Sequence, residues 1–278
     1  MISTNVPTFR KNLRKSGSRH RAKARSSGPN LKLQIEYDGT NYCGWQIQKP
    51  PNSRLSTPDS IQETIEKTLQ QILQEKVKLI ASGRTDAGVH ALAQIANFQT
   101  KSAIPLKKLQ LALNGLLPED IVITGITKVN PGFHSRFWAK SKIYRYLILN
   151  RPYPSALLRK QVYFYPYPLK AKLMQKEAKA LIGKHDFRAF QGADKKERSA
   201  VRVIKKIRIA KFKDMIYIDI EANGFLKNMV RAIVGTLIEI GRGRFSAGST
   251  KKILFSKNRR FSGPTAPAKG LTLMKVRY

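Results

Sequence analysis

Leu31-Lys32-Leu33-Gln34-Ile35-Glu36-Tyr37 places an apolar side chain at every second position. Alternation of this kind marks a strand with one buried face. Residues 58–74 follow with a different period: Ile61, Ile65, Leu69, Ile72 and Leu73 recur at helical spacing. Ser60 and Glu63 have the spacing of a capping box at the start of that helix. Strands are predicted next at 77–82 and 91–99, then a helix over 105–116 and a strand over 120–129. The order is β-α-β-β-α-β, the ferredoxin-like arrangement.

Residues 140–278 repeat this order in a longer form. Strands are predicted at 142–149 and 161–165, and a helix at 169–182. A hairpin of 201–212 and 215–222 turns near Lys213-Asp214. A strongly apolar helix covers 226–240, with Leu226, Met229, Val230, Ile233, Val234 and Leu237 on one stripe. A last strand runs over 271–277. The expectation is an α+β protein of two fused ferredoxin-like halves, 31–135 and 136–278, with antiparallel sheets and a central cleft. The repeat is one of element order, since the halves share no obvious identity.

The charge narrows the partners. The 278 residues hold 53 Lys and Arg against 17 Asp and Glu, a formal charge of +36. So large an imbalance points to an anionic partner, nucleic acid first and a membrane surface second. Residues 1–30 hold eight of the basic residues and no acidic one, and apolar residues nearly stop after Leu13. Such a segment buries too little to order itself. It reads as a basic arm that gathers RNA phosphates, or as an organelle transit peptide. The arm is preferred because no convincing amphipathic helix is present. The remaining 45 basic and 17 acidic residues leave +28 on 31–278, so the charge belongs to the folded body as well.

Apolar residues make up 41% of the chain, enough for one large or two ordinary cores. No apolar run reaches the length of a membrane span. Cys43 is the only cysteine, and His20, His90, His134 and His185 are scattered. That pattern predicts no disulfide, no zinc site and a reducing, cytoplasmic setting.

Chemistry concentrates in residues 81–91, Ala-Ser-Gly-Arg-Thr-Asp-Ala-Gly-Val-His-Ala, which join two predicted strands. Gly83 and Gly88 permit tight turns around a polar centre. Asp86 lies two residues from Arg84, and a nearby guanidinium favours an ionised carboxylate. A held carboxylate can serve as nucleophile or general base. Spacing alone is equally met by an ordinary turn with a surface ion pair. Asp38 reads as a turn residue and His90 as a structural contact at the loop exit.

The run Gly83-Arg84-Thr85-Asp86-Ala87-Gly88-Val89-His90-Ala91 closely resembles the motif of the TruA family of tRNA pseudouridine synthases. Four further blocks match in family order. They are Glu36–Gly39 with Tyr42–Gln46, Phe133–Phe137 with Tyr144-Arg145-Tyr146, Asn228–Gly235, and Thr265–Leu271. The resemblance implies that Asp86 is the nucleophile and that Tyr144 contacts the uracil and can assist proton removal. It further implies that Arg231 pairs with Asp86 and that Arg84 positions or displaces the target nucleotide. The implied substrates are uridines 38, 39 and 40 of the tRNA anticodon arm. The implied assembly is a homodimer that uses no organic cofactor or metal. The chain departs from the family pattern in a longer loop at 50–59, in Lys269 where an acidic residue is frequent, and in residues 1–30.

Two other functions suit the charge: a non-catalytic RNA-binding module, and an Asp-dependent nucleic-acid hydrolase. A pure binder gains nothing from a carboxylate in a phosphate-attracting surface. A metal-dependent hydrolase needs clustered carboxylates, which the first 90 residues do not offer around Asp86.

Overall fold

The computed structural model describes residues 28–46, 59–193 and 199–278. Most of the expected basic arm and of the long loop at 50–59 lies outside them. The elements run β1 (Asn30–Tyr37), α1 (Ile61–Leu73), β2 (Ile80–Ala81), β3 (His90–Gln99), α2 (Leu106–Leu116) and β4 (Ile121–Val129). Then come β5 (Ser141–Leu149), β6 (Tyr163–Phe164), α3 (Ala171–Ala178), β7 (Gly183–Asp186), β8 (Val201–Phe212) and β9 (Met215–Ala222). The last are α4 (Met229–Gly241), α5 (Ser249–Ser256) and β10 (Leu271–Arg277). No helix among the described residues is long and apolar enough to cross a membrane.

The fold is α+β, as expected, but the strands of both expected halves share one sheet. Its order is β4-β1-β3-β10-β5-β9-β8-β7, with β2 on β3 and β6 on β5. The first half thus reads β4-β1-β3-β2 and the second β10-β5-β9-β8, the same fourth-first-third-second order twice. Most pairings are antiparallel. The seam is parallel and short, with Thr272 opposite His90 and Leu273 opposite Ala91. β2 pairs with β3 further along the same edge, at Asn97 and Ala96. One edge of β3 therefore serves both halves, and the loop from β2 back into β3 is held at this junction.

The alternation of β1 is realised. Leu31, Leu33, Ile35 and Tyr37 are buried, while Gln34 and Glu36 face solvent. A half-solvated antiparallel sheet predicts this pattern. At the start of α1, Ser60 Oγ accepts from Glu63 N at 3.1 Å. The Glu63 carboxylate meets Lys67 at 3.3 Å.

Several bounds differ from expectation. β2 is only Ile80–Ala81, because pairing with β3 ends there. The helix expected over 169–182 is α3 followed by a 3₁₀ turn at Lys179–Leu181. Two elements were not expected, β7 and α5. β7 is polar, and α5 buries only Thr250, Ile253 and Leu254. α4 starts at Met229, because Asn228 before it is left-handed with φ 58°. α4 is also buried on every side: of its residues only Arg231 is not fully buried. A helix of that kind belongs in a core, and it leaves one cation facing something other than bulk water.

Candidate active site

Asp86 sits in the turn between β2 and β3. Val89 N donates to Asp86 O at 3.2 Å, and Gly88 at φ 74° supplies the left-handed step that the turn needs. The loop is tied down on both sides. Thr85 is buried and its hydroxyl hydrogen-bonds the Tyr37 hydroxyl at 2.8 Å. At its entrance Gln94 Nε2 donates to Gly83 O at 2.9 Å. Lys142 Nζ, reaching over from β5, donates to Ser82 O at 2.6 Å.

The partner of Asp86 comes from the other half of the chain. Arg231 Nη1 donates to Asp86 Oδ2 at 3.1 Å. The same Nη1 donates to Asn228 Oδ1 at 3.1 Å, and Arg231 Nε donates to Ala266 O at 2.8 Å. The Arg231 side chain is 18% exposed and that of Asp86 34%. The pair is shielded but open to a ligand on the carboxylate side. Ala266 O is available because the 263–266 segment lies directly on α4. Gly235 allows that approach, since a Cβ there would fall 1.7 Å from Pro264 O.

Tyr144 is buried on β5, with its ring edge-on to Phe225 at 5.1 Å between centroids. Burial raises its phenol well above the ordinary range, and Tyr37 and Asp86 add to the shift. The hydroxyl is therefore a neutral phenol at physiological pH. Arg84 is exposed on the loop. Among the described residues no ion pair joins it to Asp86; the guanidinium that does so is Arg231.

His90 is buried at the loop exit and ties three segments together. Its Nδ1 lies 3.0 Å from Asp38 Oδ1. Its Nε2 lies 3.0 Å from Lys160 O and 3.2 Å from Lys269 O. This is the structural contact expected of it. Asp38 also accepts from Thr40 N at 2.9 Å, as a turn residue does. No group of three or more His, Cys, Asp or Glu able to hold a metal occurs among the described residues.

Asp86, Arg231 and Tyr144 thus come from a loop of the first half, a helix of the second and the strand beside the seam. Phe225 and Asn228, which touch this group, were given no role from the sequence. Asn228 opens one of the matched blocks, but only its left-handed backbone singles it out.

A family model described as tRNA pseudouridine synthase matches residues 34–137 and 178–278. The chain belongs to that family of isomerases, which convert uridine to pseudouridine in tRNA. Among curated relatives, "tRNA pseudouridine synthase A" of Thermoanaerobacter sp. is 45% identical over 249 residues, covering 90% of this chain and 99% of the relative. The protein of the same name from Acetivibrio thermocellus is 46% identical over the same shares. "tRNA pseudouridine synthase A 2" of Clostridium tetani is 47% identical, covering 90% and 98%.

Proposed function

We propose that this enzyme isomerises uridines 38, 39 and 40 in the anticodon arm of tRNA, with Asp86 as nucleophile. The observation that carries the site assignment is the Asp86–Arg231 pair at 3.1 Å, at the junction of the two halves. A carboxylate held in place by a fixed guanidinium can present its free oxygen to a substrate as a nucleophile. The anticodon positions rest on the five sequence blocks shared with the TruA family.

A uridine in a stem has to leave the stack before its base can be reached. Arg84, exposed beside Asp86, is suited to fill or prise open the gap. The freed uracil would lie against Tyr144 and Phe225. Attack by the Asp86 carboxylate, at C1′ or on the ring, lets the N1–C1′ bond break. The base turns and C5 bonds to C1′, the bond to Asp86 breaks and frees the carboxylate, the C5 proton leaves and N1 takes one up. Nothing is oxidised or reduced, so the reaction asks for no redox carrier. Tyr144, as a neutral phenol, offers an aromatic edge and a hydroxyl rather than a phenolate base.

The chain would act as a cytoplasmic homodimer whose subunits both grip the tRNA, each built of halves 31–135 and 136–278 with the cleft between them. Its +36 charge supports a polyanionic substrate. The test is incubation of the protein with unmodified tRNA, without added cofactor, followed by mapping of pseudouridine. Product at 38–40 supports the proposal. Product confined to other positions overturns the positional assignment, and full activity of Asp86→Asn overturns the nucleophile.

A further inference from the structure

Four non-glycine residues among those described have positive φ: Gln74, Lys213, Asn228 and Lys257. Three stand where chains ordinarily bend. Gln74 and Lys257 close the C-termini of α1 and α5, and Lys213 lies in the β8–β9 hairpin. Asn228 is different, because it precedes a helix. An asparagine at that position normally adopts extended backbone and caps the first free amides of the helix with its side chain. Here φ is 58° and the side chain makes no capping bond. Its oxygen accepts instead from Arg231 Nη1, one helical turn on, at 3.1 Å. Asparagine tolerates left-handed backbone better than most residues, but the conformation still costs energy. The helix start has given up a cap, and the amide meets the guanidinium that holds Asp86.

We propose that Asn228 is a positioning residue: it fixes the rotation of the Arg231 guanidinium so that Nη1 faces the Asp86 carboxylate. Nε is held by Ala266 O and Nη1 is shared by Asn228 and Asp86. Two protein acceptors on adjacent nitrogens leave the planar group one orientation. Without Asn228, the guanidinium is restrained only by Ala266 O and by the Asp86 carboxylate that it has to orient. Gly192 makes room for this amide, since a Cβ there would lie 2.7 Å from Asn228 Nδ2. The inference rests on the reading that Arg231 supports Asp86.

Asn228→Gly is the direct test, because glycine keeps the left-handed backbone and removes only the amide. Single-turnover rate on saturating tRNA is expected to fall about tenfold, the effect of one hydrogen bond to a charged group. Affinity for tRNA and the melting temperature should stay close to wild type. Gly192→Ala, which crowds the amide while leaving it in the chain, should slow turnover in the same way. An unchanged rate in Asn228→Gly overturns the proposal, as does a loss of affinity or stability with no slowing of bound substrate. Arg231→Gln is measured alongside. If it turns over like wild type, the Asp86–Arg231 reading fails as well. If it is inactive while Asn228→Gly is unaffected, only the role of Asn228 falls.

Discussion

Lys142, on β5, donates its ammonium to the backbone carbonyl of Ser82 at 2.6 Å, and its Nζ lies 2.8 Å from where a Gly83 Cβ would stand. A strand of the second half thus clamps the entrance of the Asp86 loop. Burial, with Arg136 and Arg202 nearby, lowers the lysine to about 8 from its usual 10.5. Between those two pH values the unfolded chain keeps a proton that the folded chain has released. Stability from this group therefore rises with pH across the window. Urea denaturation from pH 7 to 10 should show wild type gaining on Lys142→Met above pH 8. A constant difference would mean that Lys142 titrates as an ordinary lysine.

Asp86→Asn removes the anion and keeps the shape. Turnover is expected to fall by roughly 10⁴-fold or more, as when a nucleophile is lost. Affinity for tRNA should change little, because one carboxylate contributes nothing favourable to binding a polyanion. Rapid-quench assays and filter binding on the same preparation separate the two quantities.

Gly235→Ala places a methyl group 1.7 Å from Pro264 O. The 263–266 segment has to move, and Ala266 O moves with it. Overpacking of this kind costs about 1–3 kcal/mol. The variant should melt lower and also turn over more slowly at temperatures where it is still folded, because Arg231 Nε loses its acceptor. Thermal melts and a rate measured well below the transition check both parts.

Affinity for tRNA should fall by about 10³-fold or more between 50 and 200 mM salt if six or more phosphates are neutralised. Removing residues 1–27 takes away eight cations. That deletion should weaken binding and flatten the salt dependence while turnover at saturation survives. Loss of turnover would make the segment part of the catalytic machinery rather than an accessory.

Much of this architecture was legible in short windows. The alternation of 31–37, the Ser60 cap and the 201–222 hairpin each depend on residues a few positions apart. What escaped depends on contacts across long separations or on weak local signal. β7 has no apolar alternation, and α5 presents too little apolar surface to stand out. The fusion of both halves into one sheet rests on two residue pairs between β3 and β10. Asp86 stood out through its motif, but its neighbours pointed to Arg84 as the adjacent cation. The guanidinium that meets it is 145 positions away, and only the family resemblance named Arg231. On its own sequence, Arg231 is equally a solvated helix-flank arginine. It is shielded because α4 is buried on all sides.

The seam strand β10 stands between β3 and β5 in the sheet although it follows both in the chain by more than 120 residues. A ribosome that has passed the Asp86 loop and the Tyr144 strand has made both groups without the piece that sets their spacing. Arg231 and Ala266 also emerge later. The Asp86 loop and the Tyr144 strand therefore share one sheet only in a chain that includes residues 271–277.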